Sequence, residues 1–243
     1  MRVLTPIEHA TRNRGFAAVI VALDVRKAFD TMWHDGLRIK LTQLNFPISL
    51  IRWISNFLYN RTARVKINNT LSQQLNMQAG APQGSAISPT LYNLYVSDIP
   101  QPTDDNVGLA QFADDTCLWA IAPRTAIASN KINRQLETYM EWTRLWRISL
   151  NADKTQTMLI KLKHKHMNVI ANNPVRIDDM AIPYSRSIKY LGVQITDKLN
   201  LTQHIANIIT RTQPVTRTLR YLSRETSHIS KQTRLHIYKT ILR

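Results

Sequence analysis

A single cysteine, Cys117, occurs in 243 residues. That excludes an internal disulfide framework and any cysteine-rich zinc module. Cys117 lies in the apolar run Thr116 to Ala120 and reads as a small core residue. With no disulfide to require an oxidising compartment, the expected location is intracellular. Glycine (6) and proline (10) are scarce, so this is not a low-complexity, collagen-like or disordered chain. There is no internal repeat. The longest apolar stretch, Ala17 to Leu23, is too short to span a bilayer, so no membrane partner is expected. The opening residues, Met-Arg-Val-Leu-Thr-Pro, contain no signal-peptide apolar region. Acidic residues are few: 16 Asp and Glu stand against 32 Lys and Arg, a net charge of +16. Such an excess suits a polyanionic partner, because basic side chains displace counterions condensed on phosphates. Charge alone does not separate that reading from a merely basic soluble protein. The basic residues are spread along the chain, so no detachable basic tail exists.

What is present suffices for a core, since 44% of residues are hydrophobic. Ala17 to Leu23 is continuous and rich in Val and Ile, which predicts a strand buried on both faces. Asp35-Gly36 opens an amphipathic helix to about Leu44. Pro47 and Ser49 start another, with Leu50, Ile51, Trp53, Ile54, Phe57 and Leu58 on its buried side. Arg64 to Met77 predicts a hairpin turning at Asn68-Asn69. Ser88-Pro89 suits an N-cap and first helical residue, with a helix to about Ser97. Leu109 to Phe112 and Thr116 to Ala120 predict two strands with Ala113, Asp114 and Asp115 at the tip. Ile132, Leu136, Tyr139, Thr143 and Trp146 recur at helical spacing, with Trp142 and Trp146 as core. Thr157 to Ile160 and Ile188 to Ile195 are further strands. Ile205, Ile208, Ile209, Thr212, Val215, Leu219 and Leu222 trace a helical stripe interrupted at Pro214. Arg217, Arg220 and Arg224 fall on the opposite face, either tracking a nucleic-acid backbone or merely solvating the helix. Lys161 to His166 reads as a solvated basic loop rather than a metal tract. The expected fold class is α+β with a helical C-terminal part.

The chemistry concentrates at Asp24, which ends a buried strand, and at Asp114-Asp115. Carboxylates at such places are costly without a neutralising cation. Two like charges about 4 Å apart repel by roughly 4 kcal/mol at an effective dielectric of 20. Hard oxygen donors suit magnesium, and two such ions can clamp an in-line phosphoryl displacement. Taken alone, Asp-Asp at a turn is more often turn chemistry.

Five stretches in order change that balance. They are Leu23-Asp24-Val25-Arg26-Lys27-Ala28-Phe29-Asp30; the run from Ala79 through Pro82-Gln83-Gly84-Ser85 to Pro89; Phe112-Ala113-Asp114-Asp115; Leu150-Asn151-Ala152-Asp153-Lys154-Thr155; and Tyr190-Leu191-Gly192-Val193. They resemble, in the same order, four catalytic motifs and the primer grip of reverse transcriptases. Trp33-His34-Asp35-Gly36-Leu37 and Phe57-Leu58-Tyr59-Asn60-Arg61 are closest to jockey-like non-LTR (LINE-type) retrotransposons. The resemblance covers roughly Phe16 to Ile195 and is weaker beyond.

The resemblance implies a right-hand polymerase palm, an antiparallel sheet packed on helices, over 1–196 with a remnant of fingers. A truncated helical thumb-like segment follows over 197–243. It implies RNA-directed DNA polymerase activity with two Mg2+ ions (or Mn2+), an RNA template, a DNA primer and deoxynucleoside triphosphates, acting in the nucleus. Asp24, Asp114 and, less directly, Asp115 would bind the ions, with the Val25 carbonyl as a further ligand. Phe29 would be the steric gate against ribose, and Gln83 and Gly84 would line the nucleotide and template side. Lys154 would serve the leaving pyrophosphate, and Tyr190, Leu191 and Gly192 would hold the primer end. Outside the resemblance, Phe29 reads as core packing, Gly84 as a turn residue, Lys154 as a solvated lysine and Tyr190 to Gly192 as a strand with a bend. Basic fingers residues and the upstream endonuclease are expected beyond this chain, which reads as a fragment. The competing readings are a non-catalytic nucleic-acid-binding remnant and a palm of another lineage, such as a maturase or telomerase-like protein.

Overall fold

The computed structural model describes residues 3–13, 15–161, 174–222 and 229–242. Its centre is a four-stranded antiparallel sheet in the order β6-β7-β1-β8. Strand β1 is Ala17–Leu23, β6 is Val107–Phe112, β7 is Asp115–Ala122 and β8 is Gln156–Ile160. β1 has partners on both sides, with Ala18 opposite Ile121 of β7 and Ile160 of β8. The pleat divides its side chains between two cores. Val19, Val21 and Leu23 join one hydrophobic cluster, while Ala18 and Ile20 join the other. Both faces are covered, which is why the run is apolar at every position.

The first face is covered by helices. They are α2 (Ala28–Thr31), α3 (His34–Gln43), α4 (Ile48–Leu58), α5 (Ser88–Tyr95) and α6 (Thr125–Leu145). α6 lies along β7 and β1, with Ala128, Ile132, Leu136 and Tyr139 buried against them. The second face carries α1 (Leu4–Asn13) and a hairpin of β11 (Ser187–Tyr190) and β12 (Val193–Thr196). The sequence reading placed no element before Ala17. Yet Val3, Ile7 and Ala10 are spaced as one helical face, and that face is buried against the sheet.

Several expectations shift. Ile51, Ile54 and Leu58 of α4 are buried as expected, but Leu50 (38% exposed) and Trp53 (54%) face outward. Trp53 stacks on Phe57 with ring centroids 6.2 Å apart. α5 begins one residue earlier than the capping pattern suggests. Ile87 is its N-cap, and the Ser88 hydroxyl donates to the Pro82 carbonyl at 2.7 Å. That bond binds the helix to the preceding loop, a local alternative Ser commonly takes. The Arg64–Met77 region is a pair of nested ribbons. β2 (Arg61–Ala63) pairs with β5 (Leu75–Met77), and β3 (Lys66–Ile67) pairs with β4 (Thr70–Leu71) around Asn68-Asn69. The single strand expected over Ile188 to Ile195 is instead the β11–β12 hairpin, turning at Leu191-Gly192. Two two-residue strands, β9 (Arg176–Ile177) and β10 (Met180–Ala181), form a further ribbon. α7 (Thr202–Leu222) runs through Pro214, and α8 (Lys231–Leu242) follows. Ile205, Ile208 and Ile209 of the stripe are exposed. Most of the Lys161–His166 tract, as well as Arg224, lies outside the described residues. No described helix is long and apolar enough to cross a membrane.

One buried charge ties the helices together. Lys40 of α3 is 2% exposed and forms an ion pair with Asp98. Its ammonium lies 3.8 Å from the Trp146 ring centre, 4.8 Å from Trp142 and 5.2 Å from Tyr95. Trp142 Nε1 also donates to Asp98, at 3.1 Å. Both tryptophans are buried, as expected, and they form the walls of a lysine cage. Burial lowers the Lys40 pKa against the opposing pull of Asp98. A lysine whose folded pKa lies below its unfolded value disfavours folding while charged, so stability rises as pH climbs toward the unfolded value near 10.5. Asp98→Ala leaves a buried ammonium without its counter-ion; because the Asp98 side chain is 45% exposed, the expected destabilisation is roughly 2–3 kcal/mol, below that of a fully buried pair. Lys40→Met keeps the length, removes the desolvation cost and should stay within about 1 kcal/mol of the parent. Urea melts at pH 7 and pH 9 check this. Asp98→Ala should also gain more stability between the two than the parent does, and Lys40→Met none from this source.

Candidate active site

The β1–β7 register puts the acidic residues at one sheet edge. Leu23 faces Thr116, so Asp24, the next residue, comes alongside Asp115 at the start of β7. Phe112 pairs with Asp115, leaving Ala113 and Asp114 as a two-residue turn. Ala113 takes a left-handed φ of 52°. That is an uncommon conformation for a residue with a Cβ, and it sets Asp114 at the exposed tip.

The loop before β8 is sewn to the end of β1 by backbone. Arg26 N–H donates to the Ser149 carbonyl at 2.8 Å, and Asn151 N–H donates to the Asp24 carbonyl at 2.8 Å. Asp24 N–H reaches the Thr155 hydroxyl at 3.3 Å. Val25 and Leu150 thus form a bridge whose bonds come from their neighbours. In such a pair the residue's own N–H and C=O point away from the partner strand. The Val25 carbonyl is therefore directed away from Leu150.

A cavity of about 700 Å3 opens at this edge. Asp24, Val25, Phe29, Gln83, Asp114 and Lys154 all line it, together with Arg26, Lys27, Ala28, Thr31, Ser149 and Asn151. Six of the sequence candidates, from four separate stretches, thus share one space. Asp115 stands beside it. Burial chiefly, then the charges of Asp114 and Asp24, push the Asp115 carboxyl above the usual range, with Lys189 opposing. Lys189 belongs to β11, so that hairpin lies within electrostatic reach of the acidic edge.

The remaining candidates are placed differently. Phe29 is half-buried, and its ring packs 5.0 Å from that of Tyr92, which is 2% exposed. It is both a packed ring and a cavity wall. Gln83 Nε2 donates to Asp30 Oδ1 at 2.9 Å. Gly84 has φ +85°, yet a Cβ added there would meet nothing within 4 Å. The glycine that packing demands is Gly80, where φ is +84° and a Cβ would sit 2.6 Å from the Asp30 carbonyl oxygen. Both glycines stand in the same motif, and nothing in the sequence ranks one above the other. Tyr190 is half-buried and packs against the core of the second face, its hydroxyl 3.5 Å from the Ala110 carbonyl. Burial, Cys117 and Asp115 push that phenol up to about 12. Leu191 and Gly192 form the left-handed turn of the hairpin, at φ 48° and 78°. Gly192 lines a separate cavity of about 320 Å3 with Lys189, His204 and Arg211. Arg26, Lys27 and Asn151, which the sequence reading did not assign roles, belong to the main cavity. Their only advance signal was proximity to a motif aspartate or lysine.

The donor set suits a hard divalent cation: two carboxylates on one cavity, a third beside them and one free-facing carbonyl. Among the described residues no three acidic, His or Cys side chains stand close enough to hold an ion unaided. An ion of the magnesium type takes the rest of its shell from water and substrate phosphate, so this geometry remains compatible with one.

Residues 2–195 match the family described as reverse transcriptase (RNA-dependent DNA polymerase). The chain is 34% identical over 223 residues to the protein named "Probable RNA-directed DNA polymerase from transposon X-element" from Drosophila melanogaster, covering 90% of this chain and 24% of that protein. It is 30% identical over 248 residues to the RNA-directed DNA polymerase from mobile element jockey of the same species, covering 99% and 26%. It therefore spans about a quarter of the length of these relatives. Solved structures with a similar fold include telomerase from Candida tropicalis truncated from its C-terminal domain, at TM-score 0.55, 13% identity and 82% of this chain against 38% of that one. Telomerase from Candida albicans in complex with a fragment of telomeric RNA gives TM-score 0.55 at 14% identity, covering 96% and 35%. At that identity the likeness concerns the fold, an α+β polymerase palm. The sequence is similar to the RNA-directed DNA polymerases of the X-element and jockey, and the family match over residues 2–195 shows that the chain belongs to the reverse transcriptase family.

Proposed function

We propose that this palm performs template-directed nucleotidyl transfer, extending a DNA primer on an RNA template by a two-metal mechanism. One observation carries the reading: Asp24, Val25, Phe29, Gln83, Asp114 and Lys154, far apart in sequence, line a single cavity. In the reaction the primer 3′-oxygen bonds to the α-phosphorus of a deoxynucleoside triphosphate, and the bond to the pyrophosphate oxygen breaks. Asp24 and Asp114 would hold divalent ions with the Val25 carbonyl, and Asp115 would add negative charge alongside. Bound there, such ions supply Lewis acidity at the attacking and leaving oxygens. Lys154, Arg26 and Lys27 bring cationic side chains to the same cavity, where they would neutralise the departing pyrophosphate. Phe29, backed by Tyr92, would close the space that a ribose 2′-hydroxyl needs. The net charge of +16 draws the polyanionic template and primer. A nuclear site of action follows if the polymerase copies at the DNA it joins. The β11–β12 turn would meet the primer, and the helices after Thr196 would begin a thumb.

The decisive assay is extension of an oligo(dT) primer on poly(rA). The parent should extend it in magnesium, and Asp114→Asn should lose about 10²–10³-fold in rate, the scale of removing one charge-stabilising group. Thermal melts give an independent reading. In chelator Asp114→Asn should match or exceed the parent, because a mutual repulsion is relieved. Magnesium should raise the parent's Tm and raise the variant's much less. Equal magnesium shifts would remove Asp114 as a ligand. Hybrid binding without extension by the parent would leave the inactive remnant as the better reading. Phe29→Val should admit ribonucleotides, measured as the ratio of kcat/KM for dTTP over UTP. An unchanged ratio would make Phe29 a packing residue only.

A further inference from the structure

Two motif residues that the catalytic reading leaves without a task meet at one atom. His34 opens α3, and its Nε2 lies 2.8 Å from the Gly80 carbonyl oxygen. Arg61 opens β2, and its Nη1 donates to the same oxygen at 2.7 Å. A carbonyl only accepts, so His34 must carry its proton on Nε2 for this contact. Together the two donors fill both lone pairs of the oxygen. Gly80 itself is buried.

The other side of that peptide is held as tightly. Gly80 N–H donates to the Met32 carbonyl at 2.9 Å, and Ala81 N–H to that of Phe29 at 2.7 Å. The absence of a Cβ on Gly80 lets Asp30 pass within contact. Three residues on, Gln83 donates to the Asp30 carboxylate. The loop that presents Gln83 and the turn that presents Phe29 are thus one unit, and its outer support is a two-donor clamp. Neither His34 nor Arg61 lines the main cavity. Any influence they have on the reaction passes through Gly80.

We infer that His34 and Arg61 are positioning residues: by sharing the Gly80 carbonyl they set where the loop of residues 80–84 holds Gln83 against the incoming nucleotide. The link to the nucleotide rests on the proposed polymerase reading, whereas the clamp on the loop does not. Losing either donor should let the loop shift while Asp24, Asp114 and Lys154 keep their own supports. The loss then falls on nucleotide binding rather than on the chemical step. A guanidinium bond is charge-assisted and stronger than a neutral one, so Arg61 should matter at least as much as His34.

The test uses the full chain and the variants His34→Ala, Arg61→Ala, Arg61→Lys and the double alanine variant. Hydrogen exchange at the Gly80 and Ala81 amides reads the clamp directly. Primer extension reads its consequence. Each single alanine variant should speed exchange at those amides, with distant amides and the Tm little changed. Each should also raise the dNTP KM about tenfold, the worth of one hydrogen bond to a buried carbonyl, with kcat within about twofold. Arg61→Lys, which keeps a cationic donor, should recover most of the KM. The double variant should exceed the sum of the singles, because only then does the buried oxygen lose every donor. Parental exchange at Gly80 and Ala81 in both alanine variants would overturn the inference. So would faster exchange spread over the whole chain with a matching fall in Tm, which is the mark of plain stability. If the parent does not extend primers, the polymerase reading fails, while exchange still decides the clamp.

Discussion

Leu23 lies opposite Thr116 across the antiparallel ladder of β1 and β7, and the placement of the acidic edge depends on that pairing. Side chains alternate with a period of two along a strand, so a slip of one residue would turn every side chain of β1 to the other face. Val19 and Val21 would exchange clusters with Ala18 and Ile20, in cores built to receive particular volumes on each side. Asp24 and Asp115 would no longer start and end at the same edge. The hydrophobic residues of β1, none of which lines the main cavity, therefore decide where the carboxylates stand. β8 on the other flank strengthens the constraint, since β1 must satisfy two registers at once.

Around that edge the chain departs from ordinary backbone. Lys27, Ala113 and Leu191 have φ of 46°, 52° and 48° without being glycine, and Gly80, Gly84 and Gly192 are left-handed as well. Such residues persist only where surrounding bonds over-determine them. Here those bonds are mostly main-chain: Asp30 and Thr31 N–H to Lys27, Asn151 to Asp24, Ala81 to Phe29. Rigid elements hold the loops, and the loops hold the chemistry. The cavity is mixed in charge: the carboxylates of Asp24 and Asp114 share it with the cationic side chains of Arg26, Lys27 and Lys154. Such a mixture keeps opposite charges close together in one place, within a chain whose net charge is +16.

The strands of the central sheet, the long helix α6, the hairpin with two aspartates and the order of the five motifs were legible in the linear chain, whereas β9, β10 and the division of Ile188 to Ile195 into two strands were not. Each rests on a local rule: an unbroken apolar run, a 3.6-residue period, turn residues between strands. α1 was equally legible and was passed over, although Val3, Ile7 and Ala10 mark its buried face. The capping of α5 was misjudged because Ser88 had a competing acceptor in Pro82, visible only once the loop is folded back. Gly80 and Gly84 were indistinguishable for the same reason. What separates them is the nearness of Asp30, fifty residues earlier in the chain.

By itself, then, the sequence determined the types of the central elements, the positive charge, the residue chemistry and the kinship. All of these follow from short-range pattern, composition or motif order. Tertiary structure alone decided which donors share an acceptor, which glycine has no room for a Cβ, and that Lys40 sits among Tyr95, Trp142 and Trp146. It also decided that Tyr190 packs, half-buried, against the core behind the acidic hairpin, and that Lys154 reaches the cavity of Asp24. These depend on long-range approach of backbone to backbone. No periodicity encodes that approach, because it is set by the packing of whole elements against one another.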